Sequence, residues 1–188
     1  GHDRISIELP GQQAALVSAI RAANPTKCIV GLLVHGGTLA LGKAGDDLDA
    51  ILSAWYPGIE GGHAIAQTLF GDNSPAGRSA STWYASTSVL PPQDTQMDES
   101  AGTGITYRYF KDWQKSVVYP FGHGLSYSTF SYSALSASSS SIAACAKLTL
   151  SVTITNAGKV DSDEVVQVYA KLPSSTVPTT RVRLVALD

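Results

Sequence analysis

Histidines, carboxylates and a glycine-rich turn are the groups in this chain whose types permit chemistry. The four histidines, His2, His35, His63 and His123, are scattered without a His-Glu-x-x-His spacing, and no Cys-x-x-Cys occurs, so no metal site or cofactor is indicated. Gly122-His123-Gly124-Leu125-Ser126 is not a nucleophile elbow, because Gly124 stands where the serine would have to be. Paired carboxylates can share acid and nucleophile roles, but Asp46, Asp47, Asp49 and Glu60 fall on expected turns and helix starts. Asp161, Asp163 and Glu164 lack the glycine and distal glutamate of a calcium loop and read as a solvated turn.

The glycine-rich turn is Tyr56-Pro57-Gly58-Ile59-Glu60-Gly61-Gly62. A loop of this kind entering a helix can cradle an anion on unpaired first-turn N–H groups. Neither phosphate-binding glycine signature is present, so close packing of a helix on a strand is the favoured role. The apolar run 50–55 suits a strand buried on both faces. After the turn, Ile65 with Leu69 and Ala66 with Phe70 predict a helix with one buried stripe, ended by Gly71.

The elements that must position these groups follow from periodicity. Residues 11–23 predict an amphipathic helix, with Leu16, Ala19, Ile20 and Ala23 as its apolar stripe and Gln12, Gln13, Ser18 and Arg21 facing out. Asn24-Pro25 stops it, and 28–34 forms a continuous apolar strand. A short helical element around 46–49 leads into the strand at 50–55. Helix, strand, helix, strand, helix is the order of a parallel α/β sheet covered on both sides. Ligands in such sheets sit beyond the carboxyl ends of the strands, which singles out loops 35–38 and 56–62. His35 is therefore a candidate to orient or touch a ligand, with a purely structural hydrogen-bonding role as the alternative.

Residues 79–116 form a long connection carrying a strand-like piece at 82–85, and 105–110 reads as a further strand. Tyr119 to Tyr127 holds too many turn residues for a helix and reads as a packed turn joining two domains, with a sugar platform as the alternative. The serine-rich 136–141 is expected to be a linker or exposed loop. Strict alternation follows in 147–155, with further strands at 164–171 and 181–187, which describes a β-sandwich module. About seven strands complete such a sandwich, so roughly half is written here.

Net charge is −2, from Lys+Arg 13 against Asp+Glu 15, without basic clusters, which argues against nucleic-acid binding. The longest apolar run is too short to span a bilayer, and no membrane partner is expected. The first residue is Gly1 rather than Met, and the chain is expected to be processed, truncated or only a portion of a longer polypeptide. Cys28, at the start of an apolar run, is expected to be buried; a disulfide with Cys145 stays open as the alternative.

Several of these stretches together carry a resemblance. Asp3-Arg4 ahead of Leu9-Pro10-Gly11-Gln12-Gln13, Tyr56-Pro57-Gly58 with Gly61-Gly62, Leu69-Phe70-Gly71, Gly77-Arg78, and the run from Tyr119 to Tyr127 look like family-three glycoside hydrolases. Ser81-Thr82-Trp83-Tyr84, Met97 and Thr106-Tyr107-Arg108-Tyr109 are most similar to its β-xylosidase and arabinofuranosidase branch. Asn156 to Gly158, followed by Glu164 to Tyr169, resembles the start of that family's fibronectin-type-III-like domain.

The resemblance implies a barrel with an aspartate nucleophile, an α/β sandwich supplying an acid/base glutamate, and then the β-sandwich. It implies the fold class α/β: a parallel-sheet α/β sandwich domain followed by an incomplete fibronectin-type-III-like β-sandwich. The corresponding spans are 1–90, a connection at 91–135, and 136–188. Matching Asp3-Arg4 to the family's Asp-Arg places the acid/base loop just before Gly1, so neither catalytic carboxylate falls in this chain. Asp3, Arg4 and His35 are then candidates for supporting that loop from behind, with a surface ion pair of no consequence as the alternative for Asp3 and Arg4.

The implied activity is retaining exo-hydrolysis of β-linked xylosides or glucosides, with a carbohydrate substrate, a barrel domain or partner chain outside these residues, and an extracellular, cell-wall or periplasmic location. Four departures, Ile59 for glutamine, Ser79-Ala80 for Leu-Pro, Ile105 for arginine and Thr38 for proline, motivate the alternative of a non-catalytic structural or carbohydrate-binding homologue.

Overall fold

The computed structural model describes residues 4–92, 98–173 and 179–188. Its first half alternates helix and strand: α1 (Gln13–Ala23), β1 (Val30–Leu33), α2 (Lys43–Asp46), β2 (Ala50–Ser53) and α3 (Gly61–Phe70). β1 and β2 pair in parallel, Val30 opposite Ala50 and Leu33 opposite Ser53, as that alternation requires. Gly71 closes α3 at φ 86°, a left-handed position that suits a residue without Cβ.

The chain then runs through β3 (Trp83–Tyr84), α4 (Thr106–Tyr109), α5 (Trp113–Ser116) and β4 (Val117–Tyr119), with β3 and β4 antiparallel. Two antiparallel pairs follow, β5 (Phe130–Ala137) with β6 (Leu150–Asn156), and β7 (Gln167–Ala170) with β8 (Arg183–Leu187). The core gathers Leu39, Leu41 and Trp83, with Leu9, Leu33, Ile51 and Tyr119 packed against them.

Residues 105–110 are not a strand. Thr106–Tyr109 is a helical turn, because aromatic contacts outweigh β propensity here. Thr106 N donates to Tyr84 Oη at 2.7 Å, the Tyr107 ring stacks on Phe121 at 4.3 Å, and the fully buried Phe110 meets Tyr84 edge-on at 5.0 Å. The serine run is also shorter as a loop than expected. Ser136 still belongs to β5 and pairs with Ser151, so the strand crosses residue 136.

α1 is turned opposite to its expected orientation. Leu16 is 60% and Ile20 40% exposed. Ser18 Oγ donates to Asp47 Oδ2 at 2.6 Å, and Arg21 donates to Asp47 O at 2.9 Å and Asp49 Oδ2 at 2.6 Å. These polar bonds hold the helix by the face that hydrophobicity assigns to water. The helical element expected at 46–49 lies earlier, at Lys43–Asp46, which leaves Asp47 and Asp49 free to anchor α1.

β2 is only partly covered, with Ala50 and Ser53 exposed, and on α3 Phe70 is 85% exposed. Cys28 is exposed rather than buried, and both it and Cys145 are free thiols, so no disulfide joins them.

The accessible surface is 12922 Å². A monomer of this mass exposes about 8,600 Å² by the usual scaling. Apolar side chains on and beside the parallel pair share in this exposure: Leu16, Ile20, Val30, Leu32 and Val34 are each at least 40% exposed. Fully burying such a side chain is worth about 1.5–3 kcal/mol, and each of these, roughly half covered, forgoes about half of that. Produced alone, the 188-residue chain is expected to bind an apolar-surface dye and to self-associate. A dye-silent monomer with one sharp melting transition would show that this surface needs no further cover.

Candidate functional site

The turns after β1 and β2 lie side by side at the carboxyl edge of the parallel pair. His35 N, just past β1, donates to Trp55 O at 3.2 Å. The imidazole is 6% exposed and packs against Trp55 at 5.1 Å and edge-on to Trp83 at 5.2 Å. Its Nδ1 is 2.7 Å from Gly37 O and its Nε2 2.8 Å from Ser53 Oγ. A carbonyl only accepts, so Nδ1 carries the proton and Nε2 accepts from the serine hydroxyl. With both ring nitrogens engaged, His35 shapes the turn and has no free nitrogen for a ligand.

Arg4 reaches the same turn, where Nη2 donates to Thr38 O at 3.1 Å. Two of the three residues singled out in the sequence thus act on neighbouring carbonyls, those of Gly37 and Thr38. Asp3 lies outside the described residues. Trp55 holds φ 51°, a strained value for a residue with a side chain, where the chain leaves β2. Tyr56, 76% exposed, and Ile59, fully exposed, give the adjoining turn an apolar rim. This edge presents contact surface and braced backbone; its groups do not form a reacting pair.

Glu8 escaped sequence-based selection. Its carboxylate accepts from Thr87 N at 2.9 Å, Thr87 Oγ1 at 2.8 Å, Ser86 Oγ at 3.1 Å and the Ser6 hydroxyl. The Ser6 bond, then those from Thr87, pull its pKa from the ordinary 4.5 to about 2. Glu8 is therefore ionised at neutral pH, and its lone pairs are spoken for, so it is neither a general acid nor a free nucleophile. Ser6 is a sequence neighbour, but the partners at Ser86 and Thr87, 78 and 79 residues away, leave no local signal in the sequence.

Other engaged carboxylates are also held in the charged form. Asp47 is lowered by Lys43 and Ser18, and Asp49 by the Ile29 amide and Arg21. Among the described residues, no group of three or more His, Cys, Asp or Glu side chains is placed to hold a metal ion.

A carboxylate with a depressed folded pKa contributes stability above its unfolded value, and that stability is lost as pH falls through the folded value. Glu8→Gln is expected to flatten the acid limb of the stability curve between about pH 4.5 and pH 2. An unchanged limb in acid-titrated melting would remove Glu8 from that role.

Residues 1–127 match the model of the glycosyl hydrolase family 3 C-terminal domain. The chain belongs to this family. It is 36% identical to a β-xylosidase of Formosa agariphila over 171 residues, covering 91% of this chain and 23% of that protein. It is 37% identical to a periplasmic β-glucosidase of Salmonella typhimurium, covering 88% of the chain and 22% of that protein.

Among solved structures, a β-glucosidase of Erythrobacter marinus superposes with TM-score 0.83 at 33% identity, over 100% of this chain and 24% of that one. The family 3 β-glucosidase of Bifidobacterium adolescentis superposes with TM-score 0.85 at 30% identity, over 99% of this chain and 28% of that one. This family 3 chain thus spans less than a quarter of the length of the two curated relatives.

Proposed function

We propose that the chain is the C-terminal part of a longer retaining exo-glycosidase that removes β-linked xylose or glucose units, with its barrel and both catalytic carboxylates elsewhere in the protein. The observation that carries this is identity above one third, over about nine-tenths of the chain, to proteins named β-xylosidase and β-glucosidase. In such catalysis one carboxylate attacks the anomeric carbon, and the other protonates the leaving group and then activates water.

The parallel pair belongs to an α/β sandwich within 1–90, and the connection that begins at 91 leads from it to the C-terminal strands, ending before β5 at Phe130 rather than at 135. The two C-terminal hairpins begin a fibronectin-type-III-like sandwich that takes in the whole of β5. The protein works outside the cytoplasm, in the cell wall, periplasm or medium, where polymeric carbohydrate is found.

In this reading Arg4 and His35 are positioning residues. They clamp the turn at 35–38 through adjacent carbonyls and so brace the neighbouring loop that carries the acid/base group; Asp3 is assigned to the same task. The full-length protein is expected to hydrolyse an aryl β-xyloside or β-glucoside. Absence of turnover on every aryl glycoside would favour a second reading, a non-catalytic homologue. Ile59, fully exposed where the family resemblance has glutamine, is the observation on that side.

Arg4→Ala, which deletes a single exposed hydrogen bond, is expected to lower kcat about tenfold while moving stability by less than about 1 kcal/mol. Wild-type kcat in the variant would confine Arg4 to a surface role.

A further inference from the structure

Three segments far apart in sequence meet at the Gly122-His123-Gly124 turn. On one side, Ser79 N donates to His123 O and Gly122 N donates to Ser79 O, both at 2.7 Å. On the other, Gln167 Nε2, on β7, donates to Gly122 O at 3.4 Å, and Gln167 Oε1 accepts from Tyr169 Oη at 2.6 Å. Both positions favour glycine, Gly122 chiefly through its left-handed backbone and Gly124 through the backbone packed against it. A Cβ on Gly122, at φ 81°, would strike the Gln167 amide, and one on Gly124 would strike Gly77 O and crowd Arg78. The turn is a thin spacer between the stretch after α3 and the β7–β8 pair.

A charged bridge spans this spacer. Arg78 Nη2 lies 2.5 Å from Glu164 Oε2, and Arg78 Nη1 donates to Ala76 O at 2.8 Å. The other carboxylate oxygen, Glu164 Oε1, accepts from Tyr132 Oη on β5 at 2.5 Å. Burial, then the adjacent Glu164 carboxylate, push the Tyr132 phenol up to about 12, so it remains a donor throughout the neutral range. The Arg78 and Glu164 side chains are only 12% and 16% exposed, unlike the Arg21–Asp49 pair at 22% and 48%. Exposed pairs are screened and contribute little, whereas a shielded guanidinium–carboxylate hydrogen bond is directional and costly to break.

We propose that Arg78, Glu164 and Tyr132 form a latch, seated over the Gly122-His123-Gly124 spacer, that locks both C-terminal hairpins onto the helix–strand half so that the two halves unfold as one unit. One carboxylate serves all three parts: it grips Arg78 from the first half, Tyr132 from the β5–β6 pair, and its own backbone leads into β7. The latch stands apart from the catalytic reading and holds whether or not the protein hydrolyses sugar.

The test uses the full-length protein with Glu164→Gln, Arg78→Lys and both together, followed by calorimetry and limited proteolysis. Each single variant is expected to split off an earlier transition and to raise cleavage within 128–166 several-fold. The double variant should do no worse than the worse single one, because both remove the same bond. Unchanged cleavage in Glu164→Gln, or additive losses in the double variant, would overturn the latch. Should Glu164→Gln fail to fold, Tyr132→Phe keeps the ion pair and removes one grip; it is expected to raise cleavage less, and wild-type cleavage there overturns the proposal as well.

Discussion

Burial of Trp83 is the interaction on which the first two-thirds of the structure depends. Its indole lies 4% exposed among Leu39 and Leu41, meets the His35 ring at 5.2 Å and the Tyr119 ring at 5.8 Å, and donates from Nε1 to Ser79 Oγ at 3.1 Å. Those partners come from the turn after β1, from β4 and from the segment after α3. One residue therefore joins the parallel pair to the β3–β4 pair, and its nitrogen is satisfied while it does so. Truncating a buried tryptophan of this kind costs about 3–5 kcal/mol, a large share of any domain's net stability.

That dependence explains the character of the carboxyl edge. His35 is held between two tryptophans with both nitrogens engaged, so the histidine that looks most reactive in the sequence is a structural wedge. It acts on the backbone of the 35–38 turn, where His35 engages the Gly37 carbonyl and Arg4 the Thr38 carbonyl. Glu8 plays a comparable part at the 86–87 turn, where four donors converge on one carboxylate. Both sites spend polar groups on backbone geometry.

Hydrophobic burial is incomplete around the parallel pair, and polar bonds decide orientation where it is. α1 shows this most clearly: Ser18 and Arg21 hold it to Asp47 and Asp49 while Leu16 and Ile20 face outward. An amphipathic pattern states which face seeks cover, but not which neighbour supplies it. The expectation for α1 failed for that reason, as did those for β2, for Phe70 and for Cys28.

The sequence by itself determined whatever depends on local period and turn chemistry. The order of α1, β1, α2, β2 and α3, the glycine stop at Gly71, the alternating strand at β6 and the family of the chain are all legible in spacing and motif. Only the tertiary structure decided what depends on partners distant along the chain. The helical turn at Thr106–Tyr109 follows from rings at 84 and 121, the extension of β5 through Ser136 from pairing with β6, and three of the four bonds to Glu8 from the turn at 86–87, some 79 residues away. The physical reason is range: backbone propensity acts over a few residues and is worth tenths of a kcal/mol at each, roughly, whereas one buried ring or satisfied carboxylate outweighs several such preferences and is contributed by residues no local window contains.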